Sequence, residues 1–99
     1  MYLYLHNVRQ TQSSALLWAA LYGQENTIRN LLNVGANIRI ATDIGQTPLL
    51  LAASNGHEAL VRMLLGQNDI GPNFRDKFGQ TPLSWAASNG RRAVMNLLQ

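Results

Sequence analysis

Two histidines, His6 and His57, and five carboxylates, Glu25, Asp43, Glu58, Asp69 and Asp76, are the side chains of this 99-residue sequence best suited to move protons or hold metal. General acid–base chemistry needs two such groups within hydrogen-bond reach of one substrate atom. Nothing in their spacing brings either histidine beside an acid or a nucleophile, and the carboxylates fall on separate turns and helix starts. The sequence has no cysteine, which removes disulfides, thiolate metal sites and cysteine nucleophiles. No phosphate-binding glycine loop, metal-ligand spacing or nucleophile elbow occurs. These residues therefore predict no enzyme activity, no cofactor and no metal, which leaves binding as the expected function.

Eight basic and five acidic residues give a formal net charge of +3. The basic residues are scattered along the chain, and only Arg91 and Arg92 are adjacent. A nucleic-acid footprint calls for cations gathered on one face with aromatics placed to stack, so this pattern argues against nucleic acid. Weak attraction of an acidic polymer by the arginines would instead show as affinity that collapses with salt. Mean hydropathy is −0.09, and no apolar run approaches the ~18 residues of a membrane span. The opening Met1-Tyr2-Leu3-Tyr4-Leu5 lacks the basic start and long apolar run of a signal peptide. An intracellular chain, cytoplasmic or nuclear, is expected.

The elements that must present a binding surface are announced by a repeat. Gly45 to Gly56 recurs 34 residues later as Gly79 to Gly90, with ten of twelve positions identical and only Leu50/Ser84 and Leu51/Trp85 differing. A weaker copy precedes them at an offset of 33, aligning Ser14-Ala15-Leu16-Leu17-Trp18-Ala19-Ala20 with Thr47 to Ala53. Periods of this size mark a stack of small units, each unable to bury its apolar face alone. Within a unit, Thr47-Pro48 and Thr81-Pro82 read as an N-cap followed by proline at the first helical position. Ser14-Ala15 is expected to keep the cap without the proline. Ala52-Ala53 and Ala86-Ala87 allow close helix approach, and Asn55-Gly56 and Asn89-Gly90 end the first helix. Leu60, Val61, Leu64 and Leu65 then form the apolar stripe of a second helix over residues 57–65. After Gly35-Ala36-Asn37, residues 38–45 suit an extended hairpin-like connector tipped by Asp43-Ile44-Gly45, repeated at Lys77-Phe78-Gly79.

Asp76, Gly79, Thr81-Pro82-Leu83, Ala86-Ala87, Gly90 and Leu97-Leu98, with the matching middle unit, strongly resemble the ankyrin repeat. The resemblance covers about residues 10–99, and Thr-Pro-Leu-Ser-Trp-Ala-Ala also resembles arrays of large fungal signalling proteins. It implies an all-α solenoid of helix-turn-helix units joined by β-hairpin-like loops. The expected organisation is a short N-terminal extension or improvised cap over residues 1–10 and a repeat domain over 11–99. Its units run over about 11–43, 44–76 and 77–99, the last incomplete. It further implies a non-catalytic protein-interaction module, a scaffold or adaptor, binding through hairpin tips and the concave helix face. Carried over position by position, the partner-binding residues are Tyr22, Asp43, Ile44, Gln46, Asn55, Lys77, Phe78, Gln80 and Asn89. The alternative is a structural piece of a longer array whose activity lies in an absent domain.

Several residues have two readings. Phe78 is either a binding anchor or folds back near Ile44. Trp18 and Trp85, at the same repeat position, are expected to pack between units rather than form an aromatic shelf. Arg91 and Arg92 stand at a helix N-terminus, where cations are unfavourable. Leu50 and Ser84 replace the histidine usual in the family, so its tie to threonine should be lost and the units loosened. Repeat arrays need polar outer faces on their end units, so Val94, Leu97 and Leu98 predict a fragment of a longer array or a self-associating C-terminal end. Tyr2 to Leu5 fit a cap over the first unit or a non-repeat leader.

Overall fold

Threonine followed by proline starts two of the helices, and the reason is local. Proline disfavours helical dihedrals in the residue before it, so Thr47 and Thr81 stay extended, at ψ 167°, and turn their hydroxyls back onto the first turn. Thr47 Oγ1 accepts from the Leu50 amide at 3.2 Å and Thr81 Oγ1 from the Ser84 amide at 3.1 Å. The computed structural model describes residues 8–68 and 70–99, with side chains from Ser14 onward. Six helices occur there: α1 (Val8–Tyr22), α2 (Glu25–Asn33), α3 (Pro48–Ser54), α4 (Glu58–Leu65), α5 (Pro82–Ser88) and α6 (Arg92–Leu98). No strand occurs among the described residues. Tyr2 to Leu5, expected as a cap or leader, lie outside them.

Where the proline is missing, the boundary moves. The cap expected at Ser14 is not there, because α1 begins at Val8 and runs through Ser14 without a break. Alanine at position 15 places no restriction on its predecessor, so the helix is free to extend upstream. Val8, Arg9 and Gln10 are thereby continuous with the first unit.

Helices α1, α3 and α5 pack side by side as one layer, and each carries its own second helix, α2, α4 and α6, behind it. The core lies between the layers. Leu16, Ile28, Leu49, Leu60, Val61 and Leu64 are at most 1% exposed. Burying a side chain of this size contributes about 1.5–3 kcal/mol, which offsets the poor intrinsic stability of helices this short. Ala19, Ala20, Ala52 and Ala53 are buried at the contacts within the first layer, where small residues let the helices close up.

Neighbouring units are also tied by side chains, each reaching the carboxyl end of the preceding first helix. His57 Nε2 donates to the Leu21 carbonyl at 2.7 Å. At the equivalent place one unit on, Arg91 Nε donates to the Ser54 carbonyl at 3.2 Å, joined by Asn89 Nδ2 at 2.8 Å. Arg91 therefore does not simply oppose the dipole of α6. Its charge sits against the negative end of α3, where a cation is favourable.

The threonine tie expected to be lost is present in the last unit. Ser84 Oγ accepts from the Thr81 amide at 2.7 Å, closing a reciprocal capping box. A hydroxyl at this position is short enough to reach the backbone directly. Leu50 makes no such bond and is buried instead, 1% exposed.

Candidate functional site

Two connectors are bent into tight tips by the same backbone bonds. In the first, the Thr42 amide donates to the Gln46 carbonyl at 3.0 Å and the Gly45 amide to the Thr42 carbonyl at 2.9 Å. In the second, the Asp76 amide donates to the Gln80 carbonyl at 2.8 Å and the Gly79 amide to the Asp76 carbonyl at 3.0 Å. The Lys77 amide then donates to the Ile44 carbonyl at 2.9 Å, so the tips lie edge to edge. Gly45 permits that approach: its φ is +85°, and a Cβ there would stand 3.0 Å from the Asp76 Cα.

Each tip is closed by the side chain at its first position. Thr42 Oγ1 accepts from the Gln46 amide at 3.1 Å. Asp76 is 6% exposed, and its Oδ1 accepts from the Phe78 and Gln80 amides, both at 2.9 Å. Its Oδ2 accepts from Trp85 Nε1 at 2.7 Å. Burial alone would raise the Asp76 pKa; the bonds from Trp85, Gln80 and Phe78 to the ionised carboxylate outweigh it and hold the pKa below its usual value. A depressed folded-state pKa gives stability that is complete above the unfolded carboxylate's range and is lost as pH falls through the folded value. The Phe78 and Gln80 amide resonances are therefore expected to titrate with a midpoint below about 3.9, the ordinary aspartate value. Asp76→Asn should remove that transition, and a midpoint above the ordinary value would contradict the assignment.

Beside the tips, α1 and α3 leave a cleft of about 390 Å³. Its walls are Ser14, Leu17, Trp18 and Leu21 from α1, Leu51, Ser54 and Asn55 from α3 and its cap, and Thr42 and Gln46 from the tip. Trp18, expected to pack between units, is 58% exposed. One turn on, Tyr22 stacks on it with ring centroids 5.6 Å apart and an interplanar angle of 6°. Trp85, at the same repeat position as Trp18, is half-buried and held by Asp76.

The residues assigned to partner binding thus fall into two groups. Asp43, Ile44, Lys77 and Phe78 are exposed on the tips and Tyr22 at the end of α1. Phe78 is 65% exposed, too open for a ring folded onto Ile44. The others carry structural bonds as well. Asn55 Nδ2 donates to the Leu51 carbonyl at 2.8 Å, Asn89 ties to Ser54, and Gln46 and Gln80 close their tips. Sequence reasoning missed Ser14, Leu17, Leu21, Thr42 and Leu51 as cleft walls. The signal that would have pointed to the exposed aromatic pair was the i, i+4 spacing of Trp18 and Tyr22, which puts both on one helix face.

Comparison with known proteins agrees with this geometry. A family model described as ankyrin repeats (3 copies) matches residues 16–99. The chain is 38% identical over 59 residues to Rabankyrin-5 of Homo sapiens, an alignment covering 60% of the chain and 5% of that protein. It is 39% identical over 64 residues to the transient receptor potential cation channel subfamily A member 1 of Homo sapiens, covering 62% and 6% respectively. Rabankyrin-5 of Mus musculus is 37% identical over 59 residues, covering 60% of the chain and 5% of that protein. The chain spans about a twentieth of the length of these relatives. No helix among the described residues is long and apolar enough to cross a membrane.

Proposed function

Because this chain belongs to the ankyrin-repeat family, whose members are generally protein-interaction modules without catalysis, we propose that it is a non-catalytic scaffold or adaptor binding a partner protein through the tips and the cleft beside them. One observation carries the reading. Of the six large apolar side chains that are exposed among the described residues, Trp18, Tyr22, Ile44 and Phe78 belong to the tips and to the inner helix that walls the cleft. Aromatic side chains held open on a rigid surface are favoured anchors, since little entropy is lost when a partner covers them. Among curated relatives the shared stretch is a small part of much longer proteins, which favours as a second reading a segment of a longer array whose activity lies elsewhere.

The test is recovery of proteins from a cell extract. The native chain is compared with an Ile44→Ser, Lys77→Glu, Phe78→Ser variant and with Trp18→Ala, all of matched circular dichroism. Specific proteins captured by the native chain and lost from these variants are the expected result. Identical recoveries from all three would sink recognition by this surface and favour the second reading.

A further inference from the structure

Positive charge is concentrated from the second tip to the start of α6. Residues 70–99 hold four basic residues, Arg75, Lys77, Arg91 and Arg92, against one carboxylate, Asp76, a net charge of +3 that equals that of the whole chain. All four basic residues are exposed, whereas Asp76 is turned inward with both oxygens bonded. Among the described residues none of the four makes an ion pair; the pair that forms, Arg62 with Glu58, lies on α4.

Their placement is as informative as their number. Arg75 and Lys77 stand on the tip before α5, and Arg91 and Arg92 follow its carboxyl end. Two of them are fixed by backbone carbonyls: Arg75 Nη1 donates to Gly79 at 3.0 Å and Arg91 Nε to Ser54 at 3.2 Å. The pairs are separated by α5, whose seven residues rise about 10 Å, and by the residues that lead into and out of it. An extended peptide advances about 3.3 Å per residue, so carboxylates four or more residues apart are needed to span that gap. Phe78, exposed beside Lys77, offers an apolar contact at one end.

Resting on the protein-binding reading above, we infer that the last unit binds an extended acidic peptide segment. Carboxylates at i and at i+4 or beyond meet the two basic pairs, and an apolar side chain next to the first lies on Phe78. Peptide is favoured over nucleic acid because the cations form two separated pairs, not a continuous track with successive stacking platforms. Of the two exposed aromatics beside them, Phe74 and Phe78, Phe74 already carries the Arg39 guanidinium 4.3 Å from its ring centroid.

The experiment is an NMR titration of the full chain with a blocked peptide carrying glutamates at i and i+4 and a leucine beside the first. Controls are the same peptide with glutamine in place of glutamate, and a single-stranded oligothymidylate. Shifts confined to residues 75–80 and 88–92, affinity about ten-fold weaker for the glutamine peptide, and a further fall with added salt are expected. Lys77→Glu and Arg92→Glu should each weaken the acidic peptide by about ten-fold, while Arg29→Glu, the same charge change on α2, leaves it unchanged. Equal binding of the glutamine peptide, shifts elsewhere, no shift at all, or preference for oligothymidylate would each overturn the inference. If acidic peptides fail while extract proteins are still lost from the tip variant, this inference falls and the protein-binding reading stands.

Discussion

Leu64→Ala in the middle unit is expected to destabilise the whole stack by about 2–5 kcal/mol, the cost of a core truncation that leaves a cavity. Leu64 is fully buried on α4, and α4 packs against both α3 and α6, so the change weakens its own unit and the interface to the next. A domain of this size has a total stability of only about 5–15 kcal/mol, and an array draws it from few nearest-neighbour interfaces. Chemical denaturation of the variant should remain a single transition at lower denaturant. Hydrogen exchange should lose protection in α3, α4, α5 and α6 together. A last unit that stayed protected while the middle unit opened would show that the units are not coupled as the packing implies.

Gly23→Ala has the next largest effect, and its cause is not in its own unit. Gly23 has φ +72°, and an added Cβ would stand 2.6 Å from Nδ1 of His57. The left-handed backbone alone costs about 1–2 kcal/mol for a residue with a Cβ. The imidazole cannot turn aside freely, because its Nε2 proton is committed to the Leu21 carbonyl at 2.7 Å. Losing that bond adds about 0.5–1.5 kcal/mol, for a total of about 1.5–3.5 kcal/mol. Gly90→Ala is the matched control. Its φ is +69° with nothing within 4 Å of the new Cβ, so only the backbone part, about 1–2 kcal/mol, should appear. Equal losses in urea denaturation would mean that His57 moves at no cost and does not clamp the first two units. A smaller penalty for Gly23→Ala when His57 is already alanine would confirm the clamp as the source of the difference.

Much of this was legible in the chain itself. Thr47-Pro48 and Thr81-Pro82 place two helix starts, because proline restricts its neighbour by sterics that no tertiary contact alters. Asn55-Gly56 and Asn89-Gly90 place the ends of the same helices, and the stripe from Leu60 to Leu65 its partner. The first unit was harder to read. Ser14 resembles a cap, but a serine without proline is equally at home inside a helix, and α1 runs through it. The tip residues Ile44, Lys77 and Phe78 could be named in advance because a turn offers no apolar stripe to absorb them.

What the sequence by itself determined is the repeat, the helix boundaries that proline and glycine enforce, and the residues that belong to the core. Those follow from local sterics and from the period of apolar side chains. Only the tertiary structure decided what each polar or aromatic residue does, since that depends on which neighbour arrives beside it. Trp18 and Trp85 occupy one repeat position, yet Trp85 finds Asp76 at 2.7 Å while Trp18 stacks on Tyr22 and stays 58% exposed. Arg91 looks misplaced at the start of α6 until α3 brings the Ser54 carbonyl beneath it. The chain repeats its residues, but a side chain's partners are set across units, where small differences in the neighbour change the bond that forms.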